Sequence, residues 1–206
     1  MELIISAVED VIVDTLEDDV YNRFEPENVK AEDILRLVKN RVGENFDKVN
    51  NIYLNMGPGS FTGIRASMAL VIGLVAGKKI NIIPFTTFDA LEYTKLTAEK
   101  ILAVNGFSNF VYVSYLGKNK KVIQECITIE DLALKAKDGK TLKVVLSNSD
   151  KVLKSLENYN VSTQKVEFDA NKVIQKYKIG TLEKIGFEPV YLRASQAELQ
   201  RKENKK

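Results

Sequence analysis

Histidine is absent from the 206-residue chain, and so is tryptophan. Without imidazole there can be no Ser-His or Cys-His catalytic pair and no zinc site with histidine ligands. Cysteine occurs once, as Cys126, which excludes an intramolecular disulfide and fits a reducing, cytoplasmic setting. It lies in "KVIQECITI", which alternates like a strand, so it reads as a small core-facing residue. Long apolar runs are missing as well. "MELIISAVED" has no basic leading region, and its apolar run is too short for a signal peptide. The stretch from Ile64 to Gly77 is interrupted by Arg65 and closed by Lys78-Lys79, short of the about 20 apolar residues that cross a bilayer. No targeting segment and no membrane association are therefore expected. An excess of one charge is lacking too. The net charge of +2 is too small to point to nucleic acid or an anionic surface.

What is present reads as alternating strands and helices. "LIISAV", "VIVDTL" and "VYNRF" are β-rich, the last following the acidic turn Glu17-Asp18-Asp19. Ile34, Leu35, Val38 and Val42 recur at helical spacing between Ala31 and Val42, up to Gly43. "NIYLNM" is a short strand, followed by a helix over Thr62–Gly77, the strand "INIIPF" and a helix from Thr87 to about Thr97. A second round begins near Lys100. "ILAV", "FVYVSYL" and "KVIQECITI" are strands, the last two joined by the turn Gly117-Lys118-Asn119-Lys120. "IEDLALKAK" is a helix, "LKVVLS" a strand, and "DANKVIQKYKIG" a helix ended by Gly180. The same order given twice predicts two related α/β halves, although no sequence repeat is detectable. Their boundary is expected near residues 98–100, and the charged tail "RKENKK" is expected to fray.

The most distinctive stretch is "LNMGPGSFTGIRASMALVIGLVAGKK", where Gly57, Pro58, Gly59, Ser60, Phe61, Thr62 and Gly63 form a glycine-rich turn into a helix. A P-loop would need Lys-Ser/Thr after the last glycine, and here Ile64-Arg65 follows. The dinucleotide fingerprint Gly-x-Gly-x-x-Gly fails because the third glycine comes one position late. What remains is a helix start that Ser60 or Thr62 can cap, with N–H groups and a dipole that favour an anion. Arg65 in that first turn opposes the dipole by about 0.3–1 kcal/mol, so a carboxylate or phosphate partner and a plain solvent-exposed arginine are both open readings. Ile64, Met68, Val71, Ile72 and Val75 predict a large apolar face for a sheet. Ala66, Ala69, Gly73 and Ala76-Gly77 form a stripe of small residues on another side. Such a stripe lets a second helix come near the low end of the usual 8–10 Å separation, belonging either to a partner or to the same chain.

These residues resemble a known family. "GPGSFTGIRASMALVIGLVAG" is similar to the signature of the bacterial tRNA threonylcarbamoyladenosine dimerisation subunit, the TsaB/YeaZ family, and "EPVYLRASQAE" resembles that family's closing segment. The two motifs occur in the expected order, so the resemblance extends over nearly the whole chain. It implies an actin/Hsp70-like (ASKHA) fold of two α/β halves. Residues 1–98 would form the first half, with 189–206 returning to it, and 99–188 the second. It further implies a non-catalytic scaffold that pairs with the catalytic threonylcarbamoyl-transferase subunit and meets the complex's ATPase subunit. The interface helices would be Ala31–Val42 and Thr62–Gly77, which places Ile34, Val38, Val42, Ala66, Ala69, Gly73 and Ala76 at the partner. No catalytic residue, no metal and no intrinsic cofactor are implied, with ATP or ADP expected only at the interface with the catalytic subunit. Contact with tRNA is indirect at most, and a homodimer in isolation is a further expectation. An old peptidase label attached to the family is chemically implausible in a chain without histidine.

Two stretches depart from the family pattern. Ser6 and Ala7 stand where the first strand usually ends in Ile-Asp-Thr-Ser/Thr, and Asn105-Gly106-Phe107 replaces Asp-Ala-Arg in the second half. Both changes remove polar groups that the family pattern places in the cleft between the halves. A competing reading is a stand-alone nucleotide-binding phosphotransferase of the same fold, for which Asp10, Asp14 and Asp89 are the available magnesium carboxylates. A third, direct tRNA binding, rests on "GKNKK" and the Lys-rich tail, runs that are usually just solvated.

Overall fold

The structure, a computed structural model, describes residues 1–23, 29–30, 33–91, 100–116, 123–137 and 143–192. The chain divides into two compact units, one of Met1–Glu92 with Glu167–Val190 and the other of Tyr93–Val166 with Tyr191–Lys206.

At the centre of the first unit lies β1 (Glu2–Ser6), in a five-stranded sheet of order β3-β2-β1-β4-β5. β2 (Ile12–Glu17) and β3 (Val20–Asn22) form an antiparallel meander beside it. β4 (Asn51–Asn55) runs parallel to β1, and β5 (Asn81–Phe85) parallel to β4. Parallel neighbours need crossover connections, and α1 (Ile34–Val42) and α2 (Phe61–Val75) supply them. Because side chains alternate along a strand, Leu3, Ile5, Val13, Ile52 and Leu54 share one face and one core cluster with Ile34, Leu37, Val38, Val42 and Val71. Ile4 and Tyr53 point to the other face. There Tyr177 of α6 (Ala170–Lys178) meets the Tyr53 ring edge-on, with centroids 5.7 Å apart. Burial on both faces explains why β1 reads as the unbroken apolar run Leu3-Ile4-Ile5. Asp18 and Asp19 close the β2–β3 hairpin with φ of 48° and 63°, the positive values that a two-residue type I′ turn needs.

The second unit repeats this plan. Its sheet has the order β10-β9-β6-β7-β8 around β6 (Lys100–Asn105). β7 (Phe110–Leu116) and β8 (Ile123–Thr128) form the antiparallel side, while β9 (Val144–Ser147) and β10 (Thr163–Lys165) run parallel. α4 (Ile129–Lys137) and α5 (Asp150–Leu156) bury Leu132, Ala133, Val152 and Leu156 against Ile101, Val113 and Val145. Numbered from its first strand, each sheet has the order 3-2-1-4-5. The duplication expected from element order is therefore real at the level of topology.

The expected boundaries need correction. Residues 167–188, assigned to the second half, belong to the first unit, because α6 packs on the one-turn helix α3 (Thr87–Ala90). The Asp169 amide donates to the Ala90 carbonyl at 2.7 Å, Leu91 bridges Phe168, and Lys176 Nζ donates to the Asp89 carbonyl at 2.5 Å. Of the expected return 189–206, Pro189 and Val190 group with the first unit, and residues 193–206 lie outside the described residues. α3 ends at Ala90, where Leu91 is already extended at φ −72°, ψ 127°, and the remainder of the helix expected to about Thr97 lies outside the described residues. The first division falls between Leu91 of the first unit and Lys100 of the second, and the residues between them lie outside the described ones. The turn at 117–120, the "GKNKK" run, the start of α1 at 31–32 and the tail lie outside the described residues. Among the described residues, no helix is long and apolar enough to cross a membrane.

Candidate partner interface

The glycine turn is built by the chain segments that crowd it. Asn55, fully buried at the end of β4, accepts from the Gly57 amide at 3.0 Å and from Thr87 Oγ1 at 3.2 Å. Its Nδ2 donates to Ser6 Oγ at 3.1 Å, and Thr87 Oγ1 also donates to the Pro58 carbonyl at 2.8 Å. The Ser60 amide donates to the Val8 carbonyl at 2.7 Å, which brings the β1–β2 loop against the start of α2. Of the two expected caps it is Ser60 that serves, its Oγ accepting from the Gly63 amide at 3.2 Å. Thr62 is exposed in the first turn and Phe61 half-buried.

The glycines follow from this crowding. A Cβ on Gly63 would lie 1.7 Å from the Ala7 carbonyl oxygen, and one on Gly59 would lie 2.5 Å from both Val8 Cβ and its carbonyl oxygen. A Cβ on Gly57, which sits at φ +102°, would lie 2.8 Å from Ile64 Cδ1 and 3.0 Å from the Val190 carbonyl oxygen. The turn thus lets backbone meet backbone at the root of a helix. At least two of the donors that an anion would need, the Ser60 and Gly63 amides, are already engaged within the chain.

Beyond its root, α2 turns one side outward. Arg65, Ala69, Ile72, Gly73 and Ala76 are exposed, with Ile72 at 52%, and nothing stands within 4 Å of a Cβ built on Gly73. Three of the four expected small interface residues, Ala69, Gly73 and Ala76, therefore share a surface face that is not covered by the described chain, and Ala66 is half-buried at its margin. The assignment of the sheet-facing side is corrected at one position. Ile72 lies on the outer face, and Ser67 is buried instead, its hydroxyl bonding to the Gly63 and Ile64 carbonyls at 3.0 Å each. A serine is tolerated there because the preceding turn of its own helix satisfies it.

For α1 the expectation fails outright. Ile34, Val38 and Val42 are 1%, 2% and 3% exposed and lie in the core of the first unit, so they are not partner residues. Their helical spacing marks burial against the chain's own sheet. The outer side of this helix carries Leu35, Arg36, Lys39 and Asn40, with Arg36 held by Asp33 at 3.1 Å. α1 packs beside α2 on the same sheet face, so Leu35 and Ile72 are the large apolar side chains exposed on these two helices.

The three candidate magnesium carboxylates are dispersed. Asp10 is exposed in the β1–β2 loop. Asp14 is buried in β2 and accepts from the Tyr21 hydroxyl, and burial together with that carboxylate pushes the Tyr21 pKa far upward. Asp89 closes the capping box of α3, accepting from the Thr86 amide at 2.9 Å and from Thr86 Oγ1 at 2.6 Å. No group of three or more metal-capable side chains occurs among the described residues. Ser6 is buried in the Asn55 network, and Ala7 is pressed on Gly63. Asn105-Gly106-Phe107 forms a tight turn in which the Gly106 amide donates to the Phe110 carbonyl at 3.1 Å. Cys126, opposite Tyr112 in the β7–β8 register, is half-buried.

No family model matches the chain, and no curated protein does. Among solved structures it is similar to YeaZ from Pseudomonas aeruginosa, at a TM-score of 0.66 and 17% identity over 93% of this chain and 99% of that one. A second Pseudomonas aeruginosa structure, of an uncharacterized protein with similarity to peptidase YEAZ, matches at the same TM-score with 16% identity and the same coverage. Identities this low speak for the fold alone. With the two 3-2-1-4-5 sheets, they show an actin/Hsp70-like fold of two α/β units, like that of the YeaZ structures.

Proposed function

We propose that this protein is a non-catalytic scaffold and activator subunit of a tRNA threonylcarbamoyladenosine-forming complex, docking on the catalytic transferase subunit through the outer face of α2. The observation that carries the reading is the uncovered stripe of Ala69, Gly73 and Ala76 beside exposed Ile72, on a helix whose root is fixed by backbone packing. Small residues let a partner helix approach closely, and the flanking isoleucine supplies apolar area to bury. α1 contributes Leu35 from its outer side rather than the residues of its inner one. In this reading the protein works in the cytoplasm and binds no cofactor by itself. ATP or ADP is held where the catalytic subunit meets it, the ATPase subunit joins the assembly, and tRNA is contacted through the partners.

The test is co-purification with the catalytic subunit, with and without nucleotide, for the wild type and Gly73→Leu. A leucine in the gap between two helices costs about 1–3 kcal/mol of overpacking, a roughly five- to hundredfold loss of affinity. Because the Gly73 Cβ direction is open, the melting temperature of the isolated variant should not fall. Undiminished pairing of Gly73→Leu removes α2 from the interface. Robust peptidase or ATPase turnover by the isolated chain, abolished by Ser60→Ala, overturns the scaffold reading itself.

A further inference from the structure

After α6 the chain changes sides of the first sheet. Gly180, Thr181 and Leu182 turn back on the end of α6, their amides donating to the Tyr177 and Lys176 carbonyls. A few residues later Ile185 and Val190 pack into the core cluster on the α1/α2 face, opposite the Tyr53–Tyr177 contact. Between those points the segment has no regular structure and is largely exposed, including Phe187 at 37%. Its end is fixed by two contacts. The Val190 amide donates to the Met56 carbonyl at 2.8 Å, and the Val190 carbonyl lies 3.0 Å from where a Gly57 Cβ would stand. The root of α2 is thus held by Ala7 and Val8 of the β1–β2 loop, by Asn55 and Thr87 beneath the turn, and by Val190.

We propose that residues 181–190 are a coupling strap that sets the start of α2, so that the outer face of α2 is competent to dock only while the strap is seated. The β1–β2 grip belongs to a sheet hairpin, whereas the strap is an irregular segment whose described anchors past the end of α6 are the Ile185 and Val190 side chains and the Val190 amide. Segments with few buried contacts and exposed backbone open most easily. When the strap lifts, Met56 loses its amide donor and Gly57 loses a neighbour. A conformation that releases the root of α2 is then populated, and a partner that needs a fixed helix binds only the seated state. The docking arm rests on the proposed function, but the coupling within the chain does not.

The test compares full-length Val190→Pro, which deletes the donating amide, and Ile185→Ser, which removes an apolar anchor, with the exposed-site control Lys184→Ala. Amide hydrogen exchange is read at Gly57, Ser60, Gly63 and Ile64, and separately along β1 and β2. The expected result is exchange at least tenfold faster at the α2 root in both strap variants, with β1, β2 and the control unchanged. Wild-type protection at the root overturns the proposal, as does loss of protection across the whole unit in both variants. Affinity for the catalytic subunit is measured alongside and should fall at least fivefold in the strap variants. Faster exchange with undiminished affinity also overturns it. If wild-type protein does not bind that subunit, the functional reading fails, and exchange at the root alone decides the strap.

Discussion

Gly57, Gly59 and Gly63 meet other backbone where a side chain would stand, while Gly73, ten residues further along the same helix, meets open space. Gly63→Ala would drive Cβ into the Ala7 carbonyl, and the root of α2 must shift or unfold to avoid it. Calorimetry of Gly63→Ala should show a melting temperature far below wild type, or no cooperative transition. Gly73→Ala should do the reverse. Removing an exposed mid-helix glycine gains about 0.8–1 kcal/mol, worth roughly 2–4 °C at this size. The sequence displays the spacing of these glycines but not their purpose. What crowds them, Ala7, Val8 and Val190, lies remote in the chain and cannot be read from a local window. In the second unit, Glu125 accepts from the Tyr115 hydroxyl at 2.5 Å and pairs with Lys135 at 2.9 Å, and these two partners hold its pKa below the usual carboxylate value. A depressed folded pKa contributes stability that is present above the unfolded value and lost as pH falls through the folded one. Wild type should therefore lose melting temperature below about pH 4.5 more steeply than Glu125→Gln, a difference seen in a pH series of thermal melts.

At the scale of the element, apolar periodicity locates the helices and cannot say what they cover. The spacing of Ile34, Val38 and Val42 is the same whether the covering surface is a partner or the chain's own sheet, and here it is the sheet. For α6 the pattern is equally clear and the destination equally hidden, since α3 and Tyr53 come to it from far upstream. α5 and β10 escape such a reading because α5 is only seven residues long and the exposed Thr163-Gln164-Lys165 has no apolar alternation. The β2–β3 hairpin is legible as an acidic turn, yet its type is not. Two aspartates hold positive φ where glycine or asparagine is at ease. Asp19→Gly should relieve that strain and raise the melting temperature, with unaltered circular dichroism as the check that the hairpin keeps its register.

For the whole molecule, the plan of two matching halves is legible in the amino-acid sequence, because the order of elements and the rules of connection leave few ways to lay down such sheets. Its division is not, since the first unit is discontinuous in sequence and closes only with Glu167–Val190. That discontinuity matters during synthesis. Strands β1 to β5 leave the ribosome roughly 80 residues before α6, a delay of about 4–16 s at ordinary elongation rates. Throughout that interval the face carrying Ile4 and Tyr53 lacks the helix that seals it, and such a surface is what general chaperones recognise. Stalled nascent chains that expose the sequence to residue 166 should be captured by a hydrophobic-surface chaperone, and chains exposing it past Lys178 should be released. Newborn molecules of this protein should accordingly depend on holdase protection for several seconds, even though every strand of the first sheet has already been made.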